Sequence, residues 1–91
     1  MKQTMHILVS GKVQGMGYRN FARAKAEELG VVGNVKNLSD SCVEIFATAE
    51  FEILESFIAL LKIGPQKSSV DEIKTHIVTQ QSFHNFTILR D

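Results

Sequence analysis

The order in which strand-like and helix-like hydrophobic patterns follow one another limits the folds open to this chain more than any other feature. Alternating residues at positions 5–10 predict a strand, and apolar residues at helical spacing predict a helix over 18–29, with Gly30 at its C-terminal cap. Two short β-rich runs follow at 31–37 and 41–47. The short polar segment between them predicts a β-hairpin.

A second amphipathic helix is predicted over residues 50–64, where the sequence Gly64-Pro65 ends the helical spacing. Its apolar stripe consists of Leu54, Phe57, Ile58 and Leu61, extended by Phe51 and Ile63. The run 70–80 then alternates like a strand, and residues 83–90 predict the last strand. The run 70–80 is either part of that last unit or a fourth strand before a short fifth.

The resulting order, β-α-β-β-α-β, favours one fold class. Two helices that each carry an apolar stripe must cover one face of a single sheet. The sequence therefore predicts an α+β, ferredoxin-like (split βαβ) two-layer sandwich, with an antiparallel sheet and both helices on one face. A length of 91 residues suits one domain and not two, so residues 1–91 are expected to form a single domain.

Composition and charge argue against several classes of protein. A single cysteine, Cys42, allows neither an internal disulfide nor a zinc cage, and a reducing, cytoplasmic location fits best. The apolar run 7–9 is far too short for a signal peptide or a membrane span, so no membrane partner is expected. The zero net charge argues against a nucleic-acid partner. The histidines, His6, His76 and His84, lack metal-ligand spacing, and nothing demands more than a monomer.

A glycine-rich loop, SGKVQGMGYRNF, joins the first strand to the first helix. Glycines let a ligand approach the backbone, and successive N–H groups in such a loop can bind an anion. The loop leads into a helix N-terminus, and Arg19 adds a permanent charge that can hold two phosphate oxygens. These features predict a site for a phosphate-like anion, although packing alone also explains a glycine-rich turn. Neither a P-loop nor a dinucleotide motif fits, because Met16 and Gly17 follow Gly15, and Asn20 stands where a third glycine belongs.

Two longer motifs resemble those of the acylphosphatase family. The sequence GKVQGMGYR at 11–19 is similar to that family's Gly-x-Val-Gln-Gly-Val-x-Phe/Tyr-Arg loop. The sequence AEELGVVGNVKN at 26–37 is similar to its Ala-x-x-x-Gly-Leu-x-Gly-x-Val-x-Asn pattern. The resemblance extends over nearly the whole chain, and the two motifs at this separation are specific.

The resemblance implies a ferredoxin-like hydrolase that converts a small-molecule acyl phosphate into a carboxylate and inorganic phosphate. It implies that Arg19 binds the phosphate and that Asn37 positions the attacking water. It also implies a phosphate-binding loop that acts through main-chain N–H groups and consists of Gln14, Gly15, Met16, Gly17, Tyr18 and Arg19. No metal and no cofactor are expected.

Elementary chemistry is consistent with so simple a site. The leaving group of an acyl phosphate is a carboxylate, whose conjugate acid has a pKa near ~4, so it departs without a general acid. Phosphoryl transfer depends mainly on positioning and charge stabilisation, which an arginine and N–H donors supply. The amide of Asn37 can orient a water but cannot accept its proton, and we hypothesise that the proton passes to the bound phosphate.

The chain departs from the family pattern at two glycines, which are replaced by Ser41 and Ala49. A residue other than glycine at positive φ costs about 1 kcal/mol, so the hairpin is expected to use another turn or to carry strain. Taken alone, the residues also leave open a non-catalytic module that senses phosphate anions or binds RNA on the sheet. Scattered aromatic residues disfavour the RNA binder, and the two motifs favour the enzyme. The sequence does not specify the acyl group.

Overall fold

The computed structural model describes residues 1–90, and Asp91 lies outside them. Two helices and five strands follow one another in the order β-α-β-β-α-β-β. Their bounds are β1 Lys2–Lys12, α1 Tyr18–Leu29, β2 Val32–Asn37, β3 Val43–Glu50, α2 Phe51–Ile63, β4 Ser69–Val78 and β5 Phe86–Ile88. The predicted ferredoxin-like α+β class is confirmed, and of the two arrangements left open, the structure has a fourth strand before a short fifth.

The strands form one sheet in the order β4-β1-β3-β2-β5. The pairs β4-β1, β1-β3 and β3-β2 are antiparallel, as predicted. At the edge, β5 pairs with β2 in parallel, so the sheet is mixed and the prediction of a wholly antiparallel sheet is wrong there. The parallel pair follows from the topology: β1 and β2 both run opposite to β3, β4 runs opposite to β1, and the chain reverses once more before β5. Hydrogen bonds from Gly33 N to Asn85 O (2.9 Å) and from Leu89 N to Val35 O (2.8 Å) extend this edge pair.

The core lies between one face of the sheet and the two helices. The buried side chains include Met5, Ile7 and Val9 of β1, Val43, Ile45 and Ala47 of β3, Tyr18, Ala22 and Ala26 of α1, and Leu54, Phe57 and Leu61 of α2. The predicted extension of the α2 stripe is wrong, because Phe51 is 45% exposed and Ile63 is 71% exposed. At about 100° per residue, Ile63 lies on the opposite side of the helix from Leu54.

The two glycine replacements have different structural outcomes. Ser41, in the turn between β2 and β3, has φ 74° and is the only non-glycine residue with positive φ among residues 1–90. The hairpin therefore keeps a left-handed residue at this position and carries the associated strain. Ala49 is a buried residue of β3 opposite Gln3, where alanine is unstrained.

Candidate active site

The turn between β1 and α1 depends on glycines in the left-handed region. Gly15 has φ 78°, and Gly17, the N-cap of α1, has φ 76°. Within the described part of the chain, no side chain caps the N-terminus of α1 and no acidic residue lies in its first turn. The first N–H groups of the helix, which carry partial positive charge, are therefore available to an anion.

A small pocket with a volume of about 80 Å³ opens at this helix N-terminus. Its lining residues are Val13, Gly15, Gly17, Tyr18, Arg19, Asn20, Asn37, Ile88 and Arg90. The pocket thus brings together two residues that the sequence analysis selected from separate motifs, Arg19 from the start of α1 and Asn37 from the end of β2. Among the predicted loop residues, Gly15, Gly17 and Tyr18 line the pocket, whereas Gln14 and Met16 do not.

The side chain of Gln14 connects the loop to the hairpin. Its Nε2 donates hydrogen bonds to Leu38 O and to Cys42 O, both at 2.8 Å. Leu38 directly follows Asn37, so this single amide fixes the glycine loop against the segment that carries Asn37. Met16 is partly buried and lies outside the pocket lining.

Within residues 1–90, neither Arg19 nor Asn37 has a full set of hydrogen-bond partners. Among the described residues, Arg19 has no carboxylate within salt-bridge distance, and its Nη1 donates only to Leu89 O at 3.5 Å, which is long for a hydrogen bond. The Oδ1 atom of Asn37 is buried and has no donor among these residues. Buried acceptors without a partner are rare in folded proteins and mark positions where a ligand or a water completes the site.

Tyr18 anchors the pocket to the second helix. Its side chain is fully buried, and its hydroxyl donates to Leu61 O at 2.6 Å. In a continuing helix the donor to Leu61 O would be the N–H of residue 65, but proline has none. The Tyr18 hydroxyl therefore satisfies a carbonyl that would otherwise be unpaired, and burial raises the pKa of Tyr18 above its usual range.

The remaining candidate groups lie outside the pocket lining. Partial burial and the neighbouring Asp40 carboxylate raise the pKa of the Cys42 thiol, which disfavours a reactive thiolate. His6 Nε2 lies 2.9 Å from Glu44 Oε2, and His76 and His84 are exposed. Residues 1–90 contain no cluster of three or more potential metal ligands. None of the helices described is both long and apolar enough to span a membrane.

Arg90 is the pocket residue that sequence reasoning missed, together with the lining residues Val13, Asn20 and Ile88. It lies outside both motifs and reaches the pocket because β5 pairs with β2. No local pattern around position 90 signals this placement. Only a prediction that the last strand pairs with β2 beside Val35 would have placed Arg90 near the pocket.

The family model and relatives that match most of their length show which family this chain belongs to. The acylphosphatase family model matches residues 5–88. An acylphosphatase of Helicobacter hepaticus is 41% identical, over 99% of this chain and 100% of the relative. The crystal structure of an acylphosphatase from Bacillus subtilis has a TM-score of 0.94 at 34% identity, over 99% of this chain and 100% of that one. An acylphosphatase structure from Coxiella burnetii has a TM-score of 0.93 at 34% identity, over 97% and 93% of the two chains. On this evidence, the chain belongs to the acylphosphatase family.

Proposed function

We propose that the chain hydrolyses acyl phosphates in the pocket at the N-terminus of α1, with Arg19 and backbone N–H groups holding the phosphate and Asn37 positioning the water. Family membership makes the chain an acylphosphatase and supports a small-molecule acyl phosphate as its substrate. The observation that carries the proposed roles is that Arg19 and Asn37, from separate motifs, line the same small pocket.

The phosphate group is held by the glycine loop and by Arg19. Gly15 and Gly17 place the loop backbone next to the pocket, and the uncapped end of α1 contributes further N–H donors. Arg19 adds a planar guanidinium that can donate to two phosphate oxygens at once. No carboxylate among residues 1–90 pairs with Arg19, which supports a role for its guanidinium in stabilising the negative charge that develops during phosphoryl transfer.

The attacking water is positioned by the amide of Asn37. The unpaired Oδ1 accepts one hydrogen of the water and directs the water oxygen toward phosphorus. The water oxygen forms a new bond to phosphorus while the bond from phosphorus to the acyl oxygen breaks. The electron pair of that bond leaves with the carboxylate, and the proton from the water passes to a phosphate oxygen.

Hydrolysis of benzoyl phosphate, followed by ultraviolet absorbance with a chelator present, tests this proposal. Wild-type turnover should continue in the chelator. Arg19→Ala should abolish measurable turnover and weaken competitive inhibition by inorganic phosphate, because the main phosphate contact is lost. Asn37→Ala should lower kcat about 10²-fold while inhibition by phosphate is retained, because only water positioning is lost.

Two matched variants control for non-specific effects. Arg23 is an exposed arginine one helical turn after Arg19, and Asn34 is a partly exposed asparagine of β2 outside the pocket. Arg23→Ala and Asn34→Ala should both retain wild-type kinetics. Folded wild-type protein without turnover, or full activity in Asn37→Ala, would contradict the proposed mechanism.

We also propose that the enzyme acts as a monomer. A single chain brings the loop, α1, β2 and the segment around β5 together in the pocket, so Arg19 and Asn37 meet without a residue from a second copy. The specific activity should therefore be independent of protein concentration over a range in which sedimentation shows a single species of 10.2 kDa. A loss of specific activity on dilution would point to an oligomer.

A further inference from the structure

Arg90 gives the pocket a second guanidinium that the proposed mechanism does not use. The position of residue 90 follows from the edge of the sheet, where Leu89 N donates to Val35 O at 2.8 Å. The neighbouring Leu89 O accepts the 3.5 Å contact from Arg19 Nη1. The backbone just before Arg90 is therefore attached to β2 on one side and lies against Arg19 on the other.

The pocket is small, and the charged side chains among its described lining residues are both cationic. With the phosphate at Arg19, a pocket of about 80 Å³ leaves little room for a bulky acyl group, which extends past the lining toward solvent. Among residues 1–90, no side chain that lines the pocket is acidic, while two are arginines. Arg19 and the helix N-terminus already supply cationic and N–H contacts to the phosphate. Arg90 is an exposed residue of the lining, so its guanidinium is within reach of an acyl group that extends toward solvent.

We propose that Arg90 forms a second anion subsite, which favours acyl phosphates whose acyl group carries its own carboxylate or phosphate. This inference rests on the proposed function, because it places the reacting phosphate at Arg19. A guanidinium at the pocket opening pairs with a second anionic group through charge-assisted hydrogen bonds. An uncharged acyl group gains nothing from this contact, so Arg90 acts on the choice of substrate.

A matched pair of substrates isolates the charge of the acyl group. Benzoyl phosphates with a carboxylate in the meta or para position are compared with the carbamoyl analogues, which have nearly the same shape and no charge. In the wild type, kcat/KM should be higher for at least one carboxylate isomer. Arg90→Gln should lower the carboxylate-to-carbamoyl ratio about 2–5-fold through KM, as expected for loss of an exposed ion pair. Arg90→Lys should retain most of the ratio, and added salt should reduce it in the wild type.

The control variant is Arg23→Gln, which removes an equal charge from the exposed part of α1 and should leave the ratio unchanged. An unchanged ratio in Arg90→Gln for both isomers would overturn the subsite, as would an equal loss in the two variants. Binding of the corresponding non-hydrolysable phosphonates, measured by calorimetry, gives the same comparison without turnover. If the wild type did not hydrolyse benzoyl phosphate at all, the proposed function would be contradicted. If it hydrolysed benzoyl phosphate normally but showed no preference for the charged acyl group, only the subsite would be contradicted.

Discussion

Replacing Tyr18 with phenylalanine should expose the energetic link between the pocket and the second helix. The substitution removes one oxygen from a fully buried side chain and leaves the ring in place. The hydrogen bond that is lost runs from the Tyr18 hydroxyl to Leu61 O at 2.6 Å. Because residue 65 is proline, Leu61 O has no helical donor at that position to replace it.

The expected cost follows from the carbonyl that stays behind. A buried hydrogen-bonding group left without a partner destabilises the folded state by about 1–3 kcal/mol. In a domain of this size each kcal/mol lowers the melting temperature by about 4–8 °C. Tyr18→Phe should therefore unfold at a clearly lower temperature and denaturant concentration than the wild type at neutral pH.

The same substitution should change how stability depends on alkaline pH. Burial raises the pKa of Tyr18 in the folded protein, whereas in the unfolded chain the phenol titrates near ~10. Above that pH the unfolded state has released a proton that the folded state still holds. Tyr18 therefore lowers the free energy of unfolding by up to about 1.4 kcal/mol per pH unit until the folded state also titrates, and contributes no pH dependence below this range. The phenylalanine variant should lack this component.

A spectroscopic property of the chain makes the assay specific. The sequence contains one tyrosine and no tryptophan, so tyrosinate absorbance reports Tyr18 alone. In alkaline solution, this absorbance should appear together with the loss of helical circular dichroism. Urea unfolding of both proteins at neutral pH and at several alkaline pH values gives the two slopes. Equal stability at neutral pH, or tyrosinate formation in the folded protein near pH ~10, would refute the reasoning.

Three further substitutions test other parts of the structure. Gln14→Glu replaces the amide donor with a carboxylate that repels the two hairpin carbonyls. The kcat for benzoyl phosphate should therefore fall at least about tenfold while the protein stays folded. An unchanged kcat would show that the contact is dispensable. Ser41→Gly should raise the free energy of unfolding, measured in urea, by about 0.5–1 kcal/mol, because the relief of left-handed strain exceeds the added entropy of the unfolded chain. Ser39→Gly relieves no such strain and should not raise this free energy. Gly33→Ala should destabilise the fold by several kcal/mol, since the added methyl group would overlap the backbone of β3. At Gly30 an added methyl group contacts no atom, so Gly30→Ala should cost only about 1–2 kcal/mol of stability, and thermal melts should separate the two variants.

The main elements of the fold could be predicted because their hydrophobic periods are local. The alternation of Met5, Ile7 and Val9 and the spacing of Leu54, Phe57 and Leu61 each appear within a few residues, and all six side chains are buried. The end of the chain was harder to predict. The strand β5 is only three residues long and has a single neighbour in the sheet, so its short pattern could not show which strand it joins or in which direction.

In the candidate site, too, some residues have a local sequence pattern that predicts them and others do not. The glycines and Arg19 form one local cluster, and this cluster predicted an anion site without reference to any family. Asn37 alone resembles a residue at a strand end, and only the family resemblance assigned it a role. Arg90 has no local signal, because its place in the pocket depends on the long-range pairing of β5 with β2.

The contacts of the loop suggest how a glycine-rich segment can be held rigid enough for catalysis. Gly15 and Gly17 permit the left-handed turn, but glycine has no side chain to restrict it and also loses the most entropy on folding. The residues on either side supply the restriction: Gln14 is bonded to two hairpin carbonyls, and Tyr18 is bonded to the end of α2. Donors that are fixed before the substrate arrives need no reorganisation in the transition state. The orientation of the loop N–H groups that we propose bind phosphate should therefore depend on these two flanking side chains as well as on the glycines that permit the turn.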